Sequence, residues 1–390
     1  MIVRVLAFLM LAFPMPALSQ DVARIVYLGI EGDPQYEPQV AYTGLSLKDR
    51  KRPVDGARVA MRGTRVLGRA LGLAFDLEER LLSDGTELPA EVSAALASGA
   101  LAVLLDVPED EMDSLVNAER GHNGLLFNIR HHGRRWREVD CARDLFHTVP
   151  SYDMLADALA QHLRNRDWSK VLVLRSGSAA DDEPALAARR ALQKFGLNLV
   201  NERYFELSND PRQRDLNNVA LLTSGGYYDV IWLIDTEGEF GRYVPFATYL
   251  PRPVVGSEGL SPLAWHWTYE RHGAPQLNQR FRRASDRNMS PEDWAAWVAV
   301  RAVVEGVSRV QSIDPGKVAQ YVRSDELSLD LYKGVPGSFR PWNGQLRQPI
   351  LLATHNAVIE RAPIDGFEHQ FDTLDTLGID RRQSQCGSAK

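Results

Sequence analysis

Arg130 and Arg175 each follow a short apolar run, at 125–129 and 170–174. A guanidinium at the end of a buried strand is suited to bidentate hydrogen bonds with a carboxylate. Two further apolar runs end in polar and glycine residues. Residues 230–234 lead into Asp235-Thr236-Glu237-Gly238, and 253–255 lead into Gly256-Ser257-Glu258-Gly259, with Trp265 and Trp267 beyond. Tyr36 lies in the loop after the first strand, and His131 directly follows Arg130. In open α/β sheets ligands bind outside the carboxyl ends of the strands. The chemistry these residues offer is therefore binding: arginines for an anion, tryptophans for a planar ring. Glu237 and Glu258 would repel a polyanion unless they pair with those arginines. Trp265 and Trp267 suit a cleft and a core equally, whereas Trp294 and Trp297, three apart on a helix, suit the core. Arg134, Arg135 and Arg137 add positive potential near Arg130, and the run reads either as part of the site or as a solvated basic loop.

Catalytic motifs are missing. There is no GxSxG elbow, HExxH, P-loop or GxGxxG. Gly29-Ile30-Glu31-Gly32 follows a strand, but Asp33-Pro34 stands where a phosphate-cradling helix would begin. Adjacent His131 and His132 point to different faces, and nothing nearby completes a metal site. The expectation is a non-enzyme without a catalytic cofactor.

The elements that must position these residues alternate. Strands are expected at 24–30, 72–77, 100–105 and 125–129, with helices at 54–66, 89–98 and 110–119 between them. The pattern repeats with a helix at 152–164, strands at 170–174, 199–205 and 230–234, and helices at 183–195 and 215–223. Such alternation gives parallel sheets covered by helices, an α/β fold of two similar Rossmann-like lobes. Ser290-Pro291-Glu292-Asp293 starts a helix that runs to about 309. Residues 331–356 have hairpin character with Asn343-Gly344 at the turn, and the chain from about 373 reads as a loose tail.

The chain has 390 residues, 44% of them hydrophobic, which is ample for two cores. A net charge of −6 argues against nucleic acid as a partner. Residues 1–19 read as a secretory signal: Arg4, an apolar stretch too short to span a bilayer, then Ala17-Leu18-Ser19 for cleavage. Of the two cysteines, Cys141 and Cys386, an exported chain permits one disulfide; two free thiols are the alternative.

With this layout the chain resembles the type I periplasmic binding proteins of the Leu/Ile/Val-binding kind. Several phrases resemble, more narrowly, the substrate-binding proteins associated with pyrroloquinoline quinone (PQQ)-dependent alcohol dehydrogenases. They are Asp55-Gly56-Ala57-Arg58, the stretch from Leu145 to Ser151 after Cys141, Arg252-Pro253-Val254-Val255-Gly256, the Gly273-Ala274-Pro275 segment and Asp293-Trp294-Ala295-Ala296-Trp297. The resemblance implies lobe 1 at 21–148 and 257–333, lobe 2 at 149–256 and 334–390, and three hinge crossings near Val149, Gly256 and Gly334. It implies a periplasmic, monomeric solute receptor that serves an inner-membrane ABC permease and closes on its ligand. The family's amino-acid receptors hold the ligand carboxylate with small hydroxyl residues after two lobe-1 strands. Here those strands end in Asp106-Val107-Pro108 and Arg130-His131-His132, which points to a larger anion. PQQ itself, with three carboxylates, is the ligand expected first, and a small carboxylate product of alcohol oxidation second. A sensor subunit docking on a membrane kinase is the alternative to a transport role. The ligand-binding set is then Tyr36, Arg130, His131, Arg175, Glu237, Glu258, Trp265 and Trp267.

Overall fold

The computed structural model describes residues 21–40, 46–118, 124–142, 144–206, 210, 212, 213 and 217–386. The expected signal segment, 1–19, lies outside the described residues. Among the described residues no helix is long and apolar enough to cross a membrane.

The first sheet contains β1 (Asp21–Ile30), β2 (Leu73–Leu82), β3 (Ala102–Asp106), β4 (Leu125–Asn128) and β5 (Leu145–His147), all parallel, in the order β2-β1-β3-β4-β5. The second contains β6 (Lys170–Ser176), β7 (Asn198–Phe205), β8 (Val230–Ile234) and β9 (Val254–Gly256), also parallel, in the order β9-β8-β6-β7. Both sheets are covered on both faces, so their strands carry continuous apolar runs rather than alternation. In the first, Ile25, Tyr27 and Leu104 enter one core and Val26, Leu28 and Leu105 the other. In the second, Val171, Val173 and Trp232 face one core, and Leu172, Leu174 and Leu233 the opposite one. This is the period-two side-chain alternation of a strand.

The first lobe is discontinuous. Helix α1 (Val54–Arg62) packs against the late helix α8 (Pro291–Val310), which Ser290 starts with a capping box. At their crossing an added Cβ on Gly56 would lie 1.8 Å from the Asp293 carbonyl oxygen. Arg287 bridges the same contact, 2.8 Å from Asp293 and 3.1 Å from Asp55. Gly56→Ala should therefore cost about 1–3 kcal/mol by overpacking. Urea unfolding checks this, and a loss below about 0.5 kcal/mol, the usual range for a surface site, would mean that the helices part freely.

Several expectations change. The helix expected at 54–66 stops at Arg62, and a second, Arg65–Leu71, follows. Residues 274–285 form helix α7 (Ala274–Ser285), unanticipated because only Ala274, Leu277 and Phe281 are buried and Gly273 offers no side-chain cap. The expected helix at 215–223 is confined, within the described residues, to Val219–Leu222. Phe339 and Leu346 join the first core, whereas Ile350 and Leu352 join the second. Leu351 returns to the first core, so the strand at 350–352 lies between the two cores, beyond the crossing expected near 334. The tail is not loose. Leu374 and Leu377 are buried, Asp375 pairs with Arg340, and Gly378 donates its N–H to Asp157 at 2.7 Å. Cys141 and Cys386 are joined by a disulfide, with 5.3 Å between their Cα atoms. It fastens the tail to the lobe-1 turn Arg135–Val139, where Glu138 also accepts the Gln385 N–H.

Candidate functional site

Residues just past the carboxyl ends of β4, β8 and β9, among them His132, Thr236 and Ser257, line one cavity, the position where ligands sit in such folds. At the end of β3, Asp106 is fully buried. It accepts hydrogen bonds from Tyr27 and, at 2.5 Å, from Tyr36, with Arg52 at 3.4 Å and Arg130 at 3.8 Å. Arg130 meanwhile forks onto the buried Asp33 carboxylate. Two arginines and two carboxylates cancel, and burial pushes the Asp106 carboxyl up against the pull of its tyrosine hydrogen bonds. The chain's own carboxylates thus fill the place where a ligand anion was expected.

Lobe 2 is arranged the same way. Arg175 is buried, pairs with Asp182, lies 3.9 Å from Glu202 and stacks over Tyr204 at 5.5 Å. Asp235, at the end of β8, accepts the N–H groups of Gly238 and Gly241 at 2.8 and 2.6 Å.

What remains open is a cavity of about 650 Å³ bounded by both lobes. Its walls are mainly hydrocarbon and aromatic: Leu155, Leu159, Trp232, Ile234, Phe246 and Leu263. Phe246 is 90% exposed at its rim. Among the described residues Arg50 is the one arginine or lysine in the lining, and Glu258 the one carboxylate. His132, His266, His355 and Tyr152 supply further polar atoms. Burial pushes the Tyr152 phenol up to about 12 and lowers the His132 and His266 imidazoles, so all three are neutral near pH 7. Among the described residues no group of three or more His, Cys, Asp or Glu is placed to hold a metal ion.

No family model matches the chain, and no curated protein resembles it in sequence. Solved structures do match. A branched-chain amino acid ABC transporter periplasmic ligand-binding protein from Burkholderia xenovorans superposes with a TM-score of 0.69 at 14% identity, covering 87% of this chain and 95% of its own. The fold is that of a type I periplasmic binding protein. An ABC transporter substrate-binding protein from Desulfitobacterium hafniense in complex with Leu matches this type I chain with a TM-score of 0.66 at 13% identity, over 87% of this chain and 99% of that one. A solute-binding protein from R. palustris in complex with benzoate gives 0.60 at 13%, over 85% and 92%.

Of the eight residues the sequence singled out, the type I architecture brings only Glu258 to the cavity. Tyr36, Arg130 and Arg175 are spent on the internal networks above. His131 turns away: its Nε2 bonds the Val107 carbonyl at 2.7 Å, its ring meets Trp136, and burial lowers its pKa to about 3. Trp265 is fully buried in the lobe-1 core, stacked on Trp294 at 6.1 Å and donating to Asn278 at 2.9 Å. Trp267 lies on the outer side, under Arg282 and beside a separate groove along α7. Glu237 is half-buried outside the lining. The basic run is no solvated loop throughout. Arg137 is buried and holds Gln345 at 2.7 Å and the carbonyls of Gly133 and His131 at 2.6 and 2.9 Å. Arg50, His132 and Tyr152 carried little sequence signal. Tyr152 alone had one, as the first helical residue after the expected crossing at Val149.

Proposed function

We propose that this chain is an exported solute receptor of an ABC importer, closing its lobes around a small, largely apolar carboxylate. The cavity carries the reading: hydrocarbon and aromatic walls shared by two lobes, with Arg50 as the single permanent cation among the described residues. An apolar body gains roughly 25 cal/mol per Å² buried, and one guanidinium matches one carboxylate. The benzoate complex of a fold neighbour is of the same chemical type. PQQ ranks lower, because three carboxylates would face one arginine while Arg130 and Arg175 are already neutralised. The link to alcohol oxidation rests on the sequence phrases alone.

A second reading is favoured by Glu258. A carboxylate in the lining would pair with the ammonium of an amino acid, as in the Leu-bound neighbour's ligand class. Glu258 already has an interaction within the chain, which competes with that use.

A thermal-shift and calorimetry screen of benzoate, aliphatic carboxylates, amino acids and PQQ separates these ligands. A ligand at 100 times its Kd adds about 2.7 kcal/mol of stability. Arg50→Ala should weaken carboxylate binding by about 1.5–3 kcal/mol, the range for a hydrogen bond to a charged group. That is roughly tenfold to a hundredfold. Binding should also reduce the radius of gyration through hinge closure. Tight binding of PQQ or of amino acids alone, or no effect of the Arg50 change, would overturn the reading.

A further inference from the structure

His132 is displayed rigidly at the cavity. Asn128 Oδ1 accepts the N–H groups of Arg130 and His131 at 3.1 and 2.8 Å, and its amide donates to the His131 carbonyl at 2.8 Å. Arg137 binds the same carbonyl, and the Tyr152 N–H donates to the His132 carbonyl at 3.0 Å. The His132 ring packs against Tyr152 with 5.2 Å between centroids. Its Nδ1 lies 2.7 Å from the Pro150 carbonyl oxygen. A carbonyl has no proton to give, so Nδ1 carries the hydrogen. The neutral ring then has a bare lone pair on Nε2, which has no hydrogen-bond partner among the described residues.

Resting on the apolar-carboxylate reading, we infer that His132 is a specificity-determining residue, and that the ligand is a hydroxylated aromatic carboxylate whose hydroxyl donates to His132 Nε2. An acceptor left facing an unsubstituted hydrocarbon would lose its water without replacement, so such a site discriminates against ligands lacking the donor. A neutral hydroxyl suits the position better than an ammonium. The burial that keeps the imidazole uncharged opposes any cation there, and Arg137 adds to this, although Glu292 and Glu183 act the other way. Arg50 remains the partner of the carboxylate.

Calorimetry with benzoate and the 2-, 3- and 4-hydroxybenzoates tests the assignment. The wild-type protein should bind at least one hydroxy isomer roughly two- to tenfold more tightly than benzoate, the range of one neutral hydrogen bond. His132→Asn can still donate to Pro150 but has nothing at the Nε2 position, and it should bind both ligands alike. His132→Gln, whose amide reaches further, should keep part of the preference. If wild-type protein binds benzoate but prefers no hydroxy isomer, the inference falls while the carboxylate reading stands. Survival of the preference in His132→Asn also overturns it. If no aromatic carboxylate binds, both readings fail.

Discussion

Replacing both cysteines, Cys141→Ser with Cys386→Ser, should lower the unfolding free energy by up to about 5 kcal/mol. The bridge spans a sequence separation of 245 residues. In the chain-entropy model so long a loop removes that much freedom from the unfolded ensemble. The folded state should change little, because the tail has anchors of its own: Lys194 on the carbonyls of Thr376 and Gly378 at 2.8 and 3.0 Å, and Asp157 on the Gly378 N–H. Urea unfolding of oxidised wild-type and double-mutant protein measures the difference, and the mutant should also show the larger m-value, since its unfolded chain is less compact. A loss below about 1 kcal/mol would mean that tail contacts persist in the unfolded chain and already do the work of the crosslink.

Arg340→Ala should cost about 3–5 kcal/mol, the usual loss when one member of a buried ion pair is removed. Arg340 is 1% exposed and donates to Asp375 at 2.7 Å and to the carbonyls of Leu374 and Leu377 at 3.0 and 2.6 Å. Truncation leaves three buried acceptors short of a donor. Arg347, 2.9 Å from Asp375, softens the charge penalty, but its other bonds go to Ser338 and the Phe339 carbonyl, not to Leu374 or Leu377. Arg340→Lys should rescue little, because an ammonium lacks the planar fork that serves three acceptors at once. Chemical denaturation gives the magnitude. Proteolysis gives the place: cleavage within 374–385 should appear in the variant while the Cys386 end stays attached. An uncut tail with wild-type stability would show that Arg347 suffices.

The sheets were legible because their strands are continuous apolar runs bounded by glycine or polar residues. Val230–Ile234 is buried throughout and has the bounds the sequence suggested. Helix α7 was illegible because its exposed face is rich in arginine and glutamine and its buried stripe is three residues wide. The site was harder for a different reason. Arg130 does stand at a strand end, but its partner Asp33 is 97 residues earlier, and sequence spacing cannot reveal such a meeting. The same holds for Trp265, whose place after the crossing left core and cleft open until Trp294 was seen beneath it. Between His131 and His132 only the direction of the backbone decides, since neighbours face opposite ways. Arg50 lay in a long polar loop with no strand end to mark it.

Because α8 closes over strands made far earlier in the chain, no N-terminal fragment can complete its own core. Trp294, Val298 and Val303 share a cluster with Ile25, Leu104 and Phe127. During synthesis, residues 23–129 therefore emerge with one apolar face uncovered, and it stays so until 291–310 have followed. Fragments ending before that point should be held by chaperones or degraded. A full-length chain moving through a narrow translocation channel would stay threadable for as long as its last quarter is still to come.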